Sequence, residues 1–166
     1  MRTLFFILTC ALLLSTGAAE AQRSPTRFDR MLKDLLQRDV PEVTVKEADS
    51  LKAAIFLDAR EKREFEVSHI QGARWVGYND FDTSRIGSIP NNTPVVVYCS
   101  VGARSEDITR RLQSLGVKDV YNLYGGIFAW KNAGKSVYAG KQTTEKVHAY
   151  DRNWGRWLES GEKVYR

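Results

Sequence analysis

The feature that most constrains this chain is Val95-Val96-Val97-Tyr98, three β-branched residues and a tyrosine with no polar position among them. Such a run reads as a buried strand. It stops at Cys99, after which come Ser100, Val101, Gly102, Ala103, Arg104 and Ser105. Ile108, Leu112 and Leu115 then fall at i, i+4 and i+7, with Gly116 where a helix of that length would end. The chain therefore sets a thiol at the end of a strand, in a short loop leading into a helix N-terminus. The first N–H groups of a helix lack intrahelical partners, and the macrodipole presents partial positive charge there. Those donors can surround the sulfur, and Arg104 adds a full charge nearby; both favour thiolate over thiol. A buried structural cysteine is the alternative. The loop, the glycine and the arginine favour an accessible, reactive thiolate cradled by backbone amides.

Arg2, the apolar run Leu4–Leu14 and Ala19-Glu20-Ala21 form the three parts of a secretory signal, predicted over residues 1–21 with export to the periplasm or outside the cell. The apolar run is too short for a membrane span, so no stable membrane insertion is expected after cleavage. Cleavage removes Cys10 and leaves Cys99 as the lone cysteine of the mature chain, which excludes an intramolecular disulfide or a Cys-cluster metal site. Losing Arg2 and Glu20 together keeps the net charge at +5, an excess spread along the chain. It could favour small anionic substrates, whereas a nucleic-acid partner would want a concentrated basic stripe.

In chain order, Ser24-Pro25 can start a helix whose Phe28, Met31, Leu32, Leu35 and Leu36 share one face, with Pro41 ending it. Val43–Val45 reads as an edge strand, Lys46–Lys52 as a short helix and Ala54–Asp58 as a buried strand. Asp58-Ala59-Arg60 stands at that strand's carboxyl end, where open α/β sheets place their sites. Glu61–Glu66 is a helical turn, Arg74–Gly77 a strand, and Tyr78–Asn92 a polar loop anchored by Phe81 and Ile86. Asp119–Leu123 is a further strand, and Gly125-Gly126 opens a helix that stops at Gly134. Strands alternating with short helices argue for a parallel-sheet α/β domain. Lys135–Gln142 reads as loop. Tyr150, Trp154, Trp157 and Leu158 recur at helical spacing, with Asp151 to cap and Gly161 to end that helix, so residues 135–166 form an aromatic extension expected to dock on the domain. The organisation expected is a signal at 1–21, an amphipathic helix within 22–42, a domain over 43–134 and the extension.

With these pieces in place, the chain resembles a single-domain rhodanese, a sulfurtransferase, over Val43 to Ala133. The motifs that carry the resemblance are Asp58-Ala59-Arg60 with Glu64-Phe65, then His69-Ile70-Gln71-Gly72-Ala73, then Cys99 to Ser105, with Gly125-Gly126 and Trp130 as a softer match. The resemblance implies a rhodanese-like α/β fold, a five-stranded, mainly parallel sheet flanked by helices, with the catalytic cysteine in a loop above it. It implies that Cys99 attacks the outer sulfur of a small anionic donor such as thiosulfate or a persulfide. Cys99 then holds that sulfur as a persulfide and passes it to a thiol, cyanide or a protein thiol. The backbone N–H groups from Ser100 to Ser105 hold the anionic persulfide, and Arg104 stabilises the charged loop and meets the donor. No cofactor and no metal enter this chemistry, since a thiolate displacing sulfite needs no general base.

Many rhodaneses carry Arg or Lys directly after the cysteine, where this chain has Ser100, which leaves less charge to attract a dianion. Asp58 and Arg60 are candidates for a supporting role beside the site, although Arg60 with Glu64, at i and i+4, fits a structural ion pair better. His69 is expected to bond backbone and fix a turn, with Gly72 allowing close packing. Three other functions compete: a phosphatase or arsenate reductase with a similar Cys–Arg loop, a non-catalytic sulfur-carrier or binding module, and a thiol oxidoreductase. The four residues between Cys99 and Arg104 speak against the first, an intact nucleophile against the second and the missing second cysteine against the third.

Overall fold

The computed structural model describes residues 25–166, so the signal expected at 1–21 lies outside the described residues. Five short strands, β1 (Glu42–Val43), β2 (Ile55–Asp58), β3 (Arg74–Trp75), β4 (Val95–Tyr98) and β5 (Val120–Leu123), form one parallel sheet in the order β1-β5-β4-β2-β3. The apolar run therefore occupies the middle of the sheet, with Val95 in register with Ile55 on one side and Val120 on the other. All four β4 residues are wholly buried because both faces of the sheet are covered.

Alternation along β4 assigns the two layers. Val96 and Tyr98 point into a core with Phe28, Leu32, Ile127 and Phe128, while Val95 and Val97 pack with Leu57, Ile108 and Leu112. On the first face lie α1 (Arg27–Leu35) and α5 (Gly126–Asn132); on the second lies α4 (Ala103–Ser114). Short helices α2 (Val45–Ser50) and α3 (Lys62–Val67) complete the crossovers. Leu115, expected on the α4 apolar face, is instead 58% exposed: it stands past the last helical residue, and the chain turns at Gly116 (φ +85°) before reaching the core again.

The N-terminal helix starts and stops later and earlier than the sequence suggests. Thr26 is the cap, its hydroxyl accepting the Asp29 N–H at 3.0 Å while the Asp29 carboxylate accepts the Thr26 N–H at 2.8 Å. The helix ends at Leu35, not at Pro41, because the Gln37 and Arg38 N–H groups leave the ladder for the Glu106 carboxylate on α4, at 3.1 and 2.7 Å. Thr44 caps α2 rather than extending the edge strand, which moves β1 one residue earlier. Within the expected polar loop, Thr83–Ile86 forms a 3-10 turn that buries Ile86.

Beyond α5 the structure corrects the expected helix-and-loop reading. Lys135–Gln142 is not loop but half of a hairpin, β6 (Val137–Ala139) against β7 (Gln142–Thr144). The helix α6 spans only Arg152–Gly155, capped by Asp151 as expected. Gly161 does not end it but precedes β9 (Glu162–Val164), which pairs in parallel with β8 (Lys146–His148). Trp157 and Leu158 lie past the helix and pack inward: Leu158 is fully buried, and Trp157 stacks on Phe28 of α1 with centroids 6.0 Å apart. Asn132 fastens this segment, donating to the Trp157 carbonyl at 2.9 Å and accepting the Glu159 and Ser160 N–H groups.

Candidate active site

The carboxyl end of β4 delivers Cys99 beside the N-terminus of α4. Gly102, at φ +112°, turns the loop into the helix, a conformation that L side chains rarely adopt, and its N–H donates to Cys99 Sγ at 3.2 Å. A second helix end holds the loop from the other side. The Ile127 and Phe128 N–H groups of α5 donate to the Cys99 and Ser100 carbonyls at 2.9 and 3.1 Å. Across planar trans peptides, this turns the Ser100 and Val101 N–H groups away from α5. Gly126 permits the approach, since a Cβ there would collide with the Cys99 carbonyl oxygen. At the far end of the loop the Ser105 hydroxyl lies 2.7 Å from Asn122 Oδ1 and 3.0 Å from the Gly102 carbonyl, its one proton shared between two acceptors.

The thiol is not openly accessible, as the sequence suggested, but 1% exposed. It sits at the edge of a pocket of about 160 Å³. The loop supplies Ser100, Val101, Ala103 and Arg104 to that pocket; α1 contributes Leu35, and the extension contributes Tyr150 and Trp154. Gly102 takes part through its N–H, and the Ser105 side chain turns inward toward β5. A larger concavity of about 570 Å³ lies at the opposite end of the sheet, around Asn91–Thr93 and Lys118–Asp119, with no cysteine in its wall.

Arg104 does not stand free beside the sulfur. Its guanidinium forks onto Glu64, Nη1 to Oε2 at 2.8 Å and Nη2 to Oε1 at 2.9 Å, and also reaches Ser100 Oγ at 3.0 Å. Burial alone would raise the Glu64 carboxyl, but the Arg104 fork, the Arg60 charge and the Glu61 N–H together hold it below the ordinary glutamate value. Arg104 is correspondingly raised: its hydrogen bonds to Glu64 and the nearby negative charge outweigh burial. This overturns the expected Arg60–Glu64 pair. Arg60 instead grips Asp58, Nε to Oδ1 at 2.9 Å and Nη2 to Oδ2 at 2.6 Å, with both side chains fully buried. The reason is direction: Glu64, on the first turn of α3, faces the cysteine loop, while the Arg60 side chain turns back onto Asp58, two residues earlier in its own chain. Asp58 and Arg60 lie under the site and line none of its pocket.

His69 does what the sequence suggested: its Nδ1 lies 3.1 Å from the Phe65 carbonyl, and its ring stacks on Phe65 at 4.1 Å. Gly72 is needed for its backbone (φ +71°) and not for close packing, as nothing lies within 4 Å of a Cβ there. Among the described residues no cluster of His, Cys, Asp or Glu could hold a metal ion. Five contributors escaped the motif reading of the site: Glu64 as the partner of Arg104, Asn122, Leu35, Tyr150 and Trp154. Asn122 carried a signal, a polar residue within an otherwise apolar strand; for the others spatial proximity was not written in local spacing.

Fold and site together define an α/β domain with a cysteine loop at the carboxyl end of its central strand. The family model for the rhodanese-like domain matches residues 41–133, and the chain belongs to that family. A probable adenylyltransferase/sulfurtransferase of Mycobacterium tuberculosis, MoeZ, is 27% identical over 70% of this chain and 27% of its own length. An uncharacterised Synechocystis protein is 31% identical over 70% of this chain and 58% of its own. The chain thus spans between about a quarter and three fifths of those curated relatives. A thiosulfate sulfurtransferase structure from Pseudomonas aeruginosa shares the fold with a TM-score of 0.55 at 24% identity, covering 73% of this chain and 24% of that one. A Rhodopseudomonas palustris structure described as a possible tyrosine phosphatase shares it equally well, at 0.53 and 24%, covering 70% of this chain and 98% of that one.

Proposed function

We propose that the protein transfers sulfane sulfur through a persulfide on Cys99. The observation that carries this reading is the seat of the sulfur: at the head of the central strand, receiving the Gly102 N–H, at the edge of a pocket too small for a large substrate. Relatives named as a sulfurtransferase and as a putative sulfur carrier support it. The Cys99 thiolate attacks the outer sulfur of the donor; a new S–S bond forms at Cys99. The bond between the donor's two sulfurs breaks, its leaving group departing with the electron pair, sulfite in the case of thiosulfate. A thiol or cyanide then takes the outer sulfur and returns the thiolate. Sulfur moves at one oxidation level throughout, so no oxidant or reductant is needed.

The phosphatase reading asks the loop arginine to clamp an oxyanion. Here that guanidinium is already forked onto a buried carboxylate, which speaks for sulfur over phosphate. Intact mass spectrometry after donor treatment tests the proposal: wild type should gain the mass of one sulfur, reversibly with reductant, and Cys99→Ser should gain none. Cys99-dependent hydrolysis of an aryl phosphate without persulfide would overturn it. Export is part of the same reading and rests on the Arg2, apolar-run and Ala19-Glu20-Ala21 pattern. N-terminal sequencing of the mature protein should begin at Gln22, and a retained Met1 would refute export by cleavage.

A further inference from the structure

The walls of the Cys99 pocket say which donor suits it. Its only charged lining residue, Arg104, is neutralised by a two-pronged pair with Glu64 whose carboxylate is fully buried. The remaining wall is Leu35, Val101, Ala103, Tyr150 and Trp154 beside Cys99 and Ser100. A dianion entering such a site loses its hydration against apolar groups and meets no unpaired cation. A monoanion with an apolar body gains from the same walls. The volume, about 160 Å³, is close to that of an apolar cavity known to hold benzene, roughly 150 Å³.

Tyr150 is placed for this purpose by an unusual backbone. Its φ is +63°, a region a bulky L residue avoids unless its surroundings impose it. Two contacts impose it: the Tyr150 N–H donates to His148 Nδ1 at 3.1 Å, and the next residue, Asp151, caps α6 through the Asn153 and Trp154 N–H groups. Core burial does not explain the conformation, because Tyr150 remains 44% exposed. Its ring lies instead against Arg104, 5.2 Å from guanidinium carbon to centroid, and walls the pocket with Trp154 four residues on. Leu35 closes the pocket from α1, so three of its apolar walls come from outside the segment matched by the family model.

We infer that this site selects sulfane-sulfur donors whose reactive sulfur is carried on an apolar organic body of about benzene size, with Tyr150, Trp154 and Leu35 as the residues that set the preference. The inference rests on the sulfurtransferase reading above. In the transfer, Cys99 S⁻ attacks the outer sulfur of R–SO2–S⁻ or R–S–S⁻. The Cys99 S–S bond forms, and R–SO2⁻ or R–S⁻ leaves with the electron pair of the broken bond, so charge balances without another reactant.

The test compares benzenethiosulfonate with methanethiosulfonate, which share charge and reactive group, and with thiosulfate, the dianion. Each rate is divided by that of the same donor with free cysteine to remove intrinsic reactivity. The full-length protein should favour the phenyl donor over the methyl donor in kcat/KM by at least about tenfold, and both over thiosulfate. Trp154→Ala and Tyr150→Ala should each lower that phenyl-to-methyl ratio toward one, and Trp154→Phe should restore most of it. Tyr150 is exposed enough that its variant keeps the test open should Trp154→Ala fold poorly. A ratio near one in the wild type, a preference for thiosulfate, or a ratio untouched by both alanine variants would overturn the inference while leaving Cys99 persulfide formation intact. Failure of every donor to load Cys99 would instead overturn the sulfurtransferase reading itself.

Discussion

The body of the domain and its two flanks are held in different ways. The body, from β1 to α5, is sealed around a fully buried central strand and a fully buried Asp58–Arg60 pair. The flanks share the body's core through Phe28, Leu32 and Leu158, and polar hooks hold their ends. The segment after α1 hangs from the Glu106 carboxylate, the extension hangs from Asn132, and the two meet where Phe28 stacks on Trp157. The body thus fixes where the sulfur sits, and the flanks fix what can reach it. Loss of a body contact should cost the whole fold, whereas loss of a flank contact should first open the pocket.

The largest effect is expected at Arg60→Ala, which strands the Asp58 carboxylate without its partner in the sheet layer beneath the loop. It should cost about 3–5 kcal/mol in denaturant unfolding, with Cys99 reactivity falling only as the fold is lost. Leu158→Ala should cost somewhat less, about 3 kcal/mol, since it empties a fully buried site under the extension. The contrast lies in its second readout: alkylation of Cys99 should become faster in this variant, because the wall bearing Tyr150 and Trp154 loosens. Slower or unchanged alkylation would show that the flank does not govern access.

The Glu64–Arg104 pair lies within the body, against the Tyr150 ring of the extension, and gives a pH signature. Because the folded Glu64 carboxyl is held below its ordinary value, the stability it adds is present above the unfolded value of about 4.3 and is lost as pH falls through the lower folded one. Melting temperature followed into acid should therefore drop later and less steeply in Glu64→Gln than in wild type, from a lower starting point. Parallel curves would mean that the pair adds nothing. The smallest stability effect belongs to Tyr150→Ala. Its Arg104 contact is worth about 0.5–1 kcal/mol at a partly exposed site, and alanine keeps the Cβ that makes the left-handed backbone costly, so no strain is relieved. Unfolding should shift by less than about 1 kcal/mol, and a larger loss would make Tyr150 a structural residue.

The body was far more legible in the sequence than the flanks. Val95–Tyr98 could only be a buried strand, and Gly102 and Gly126 announced the turns that bring two helix ends onto Cys99. These are local signals, since a β-branched run or a glycine constrains its own backbone. The ion pairs were not local. Arg60 and Glu64 have ideal helical spacing, yet Arg60 sits before α3 begins, so the i, i+4 rule did not apply to it. The extension misled for a related reason: Tyr150, Trp154, Trp157 and Leu158 do repeat at helical spacing, but the helix ends at Gly155 and the residues divide their labour. Trp157 and Leu158 pack the flank, while Tyr150 and Trp154 line the pocket that Cys99 borders. A pattern of side chains predicted burial; only the fold shows that half of it borders a reactive group.

The most direct measurement follows the donor's outer sulfur itself. With that atom radiolabelled, the protein is mixed with donor in the absence of acceptor, passed through a desalting column and then given cyanide. Label should be retained by the wild-type chain, up to one sulfur per molecule, be absent from Cys99→Ser, and be released wholly as thiocyanate. Label that passes to cyanide without ever residing on the protein, or that Cys99→Ser retains as well as wild type, would contradict a persulfide held at Cys99.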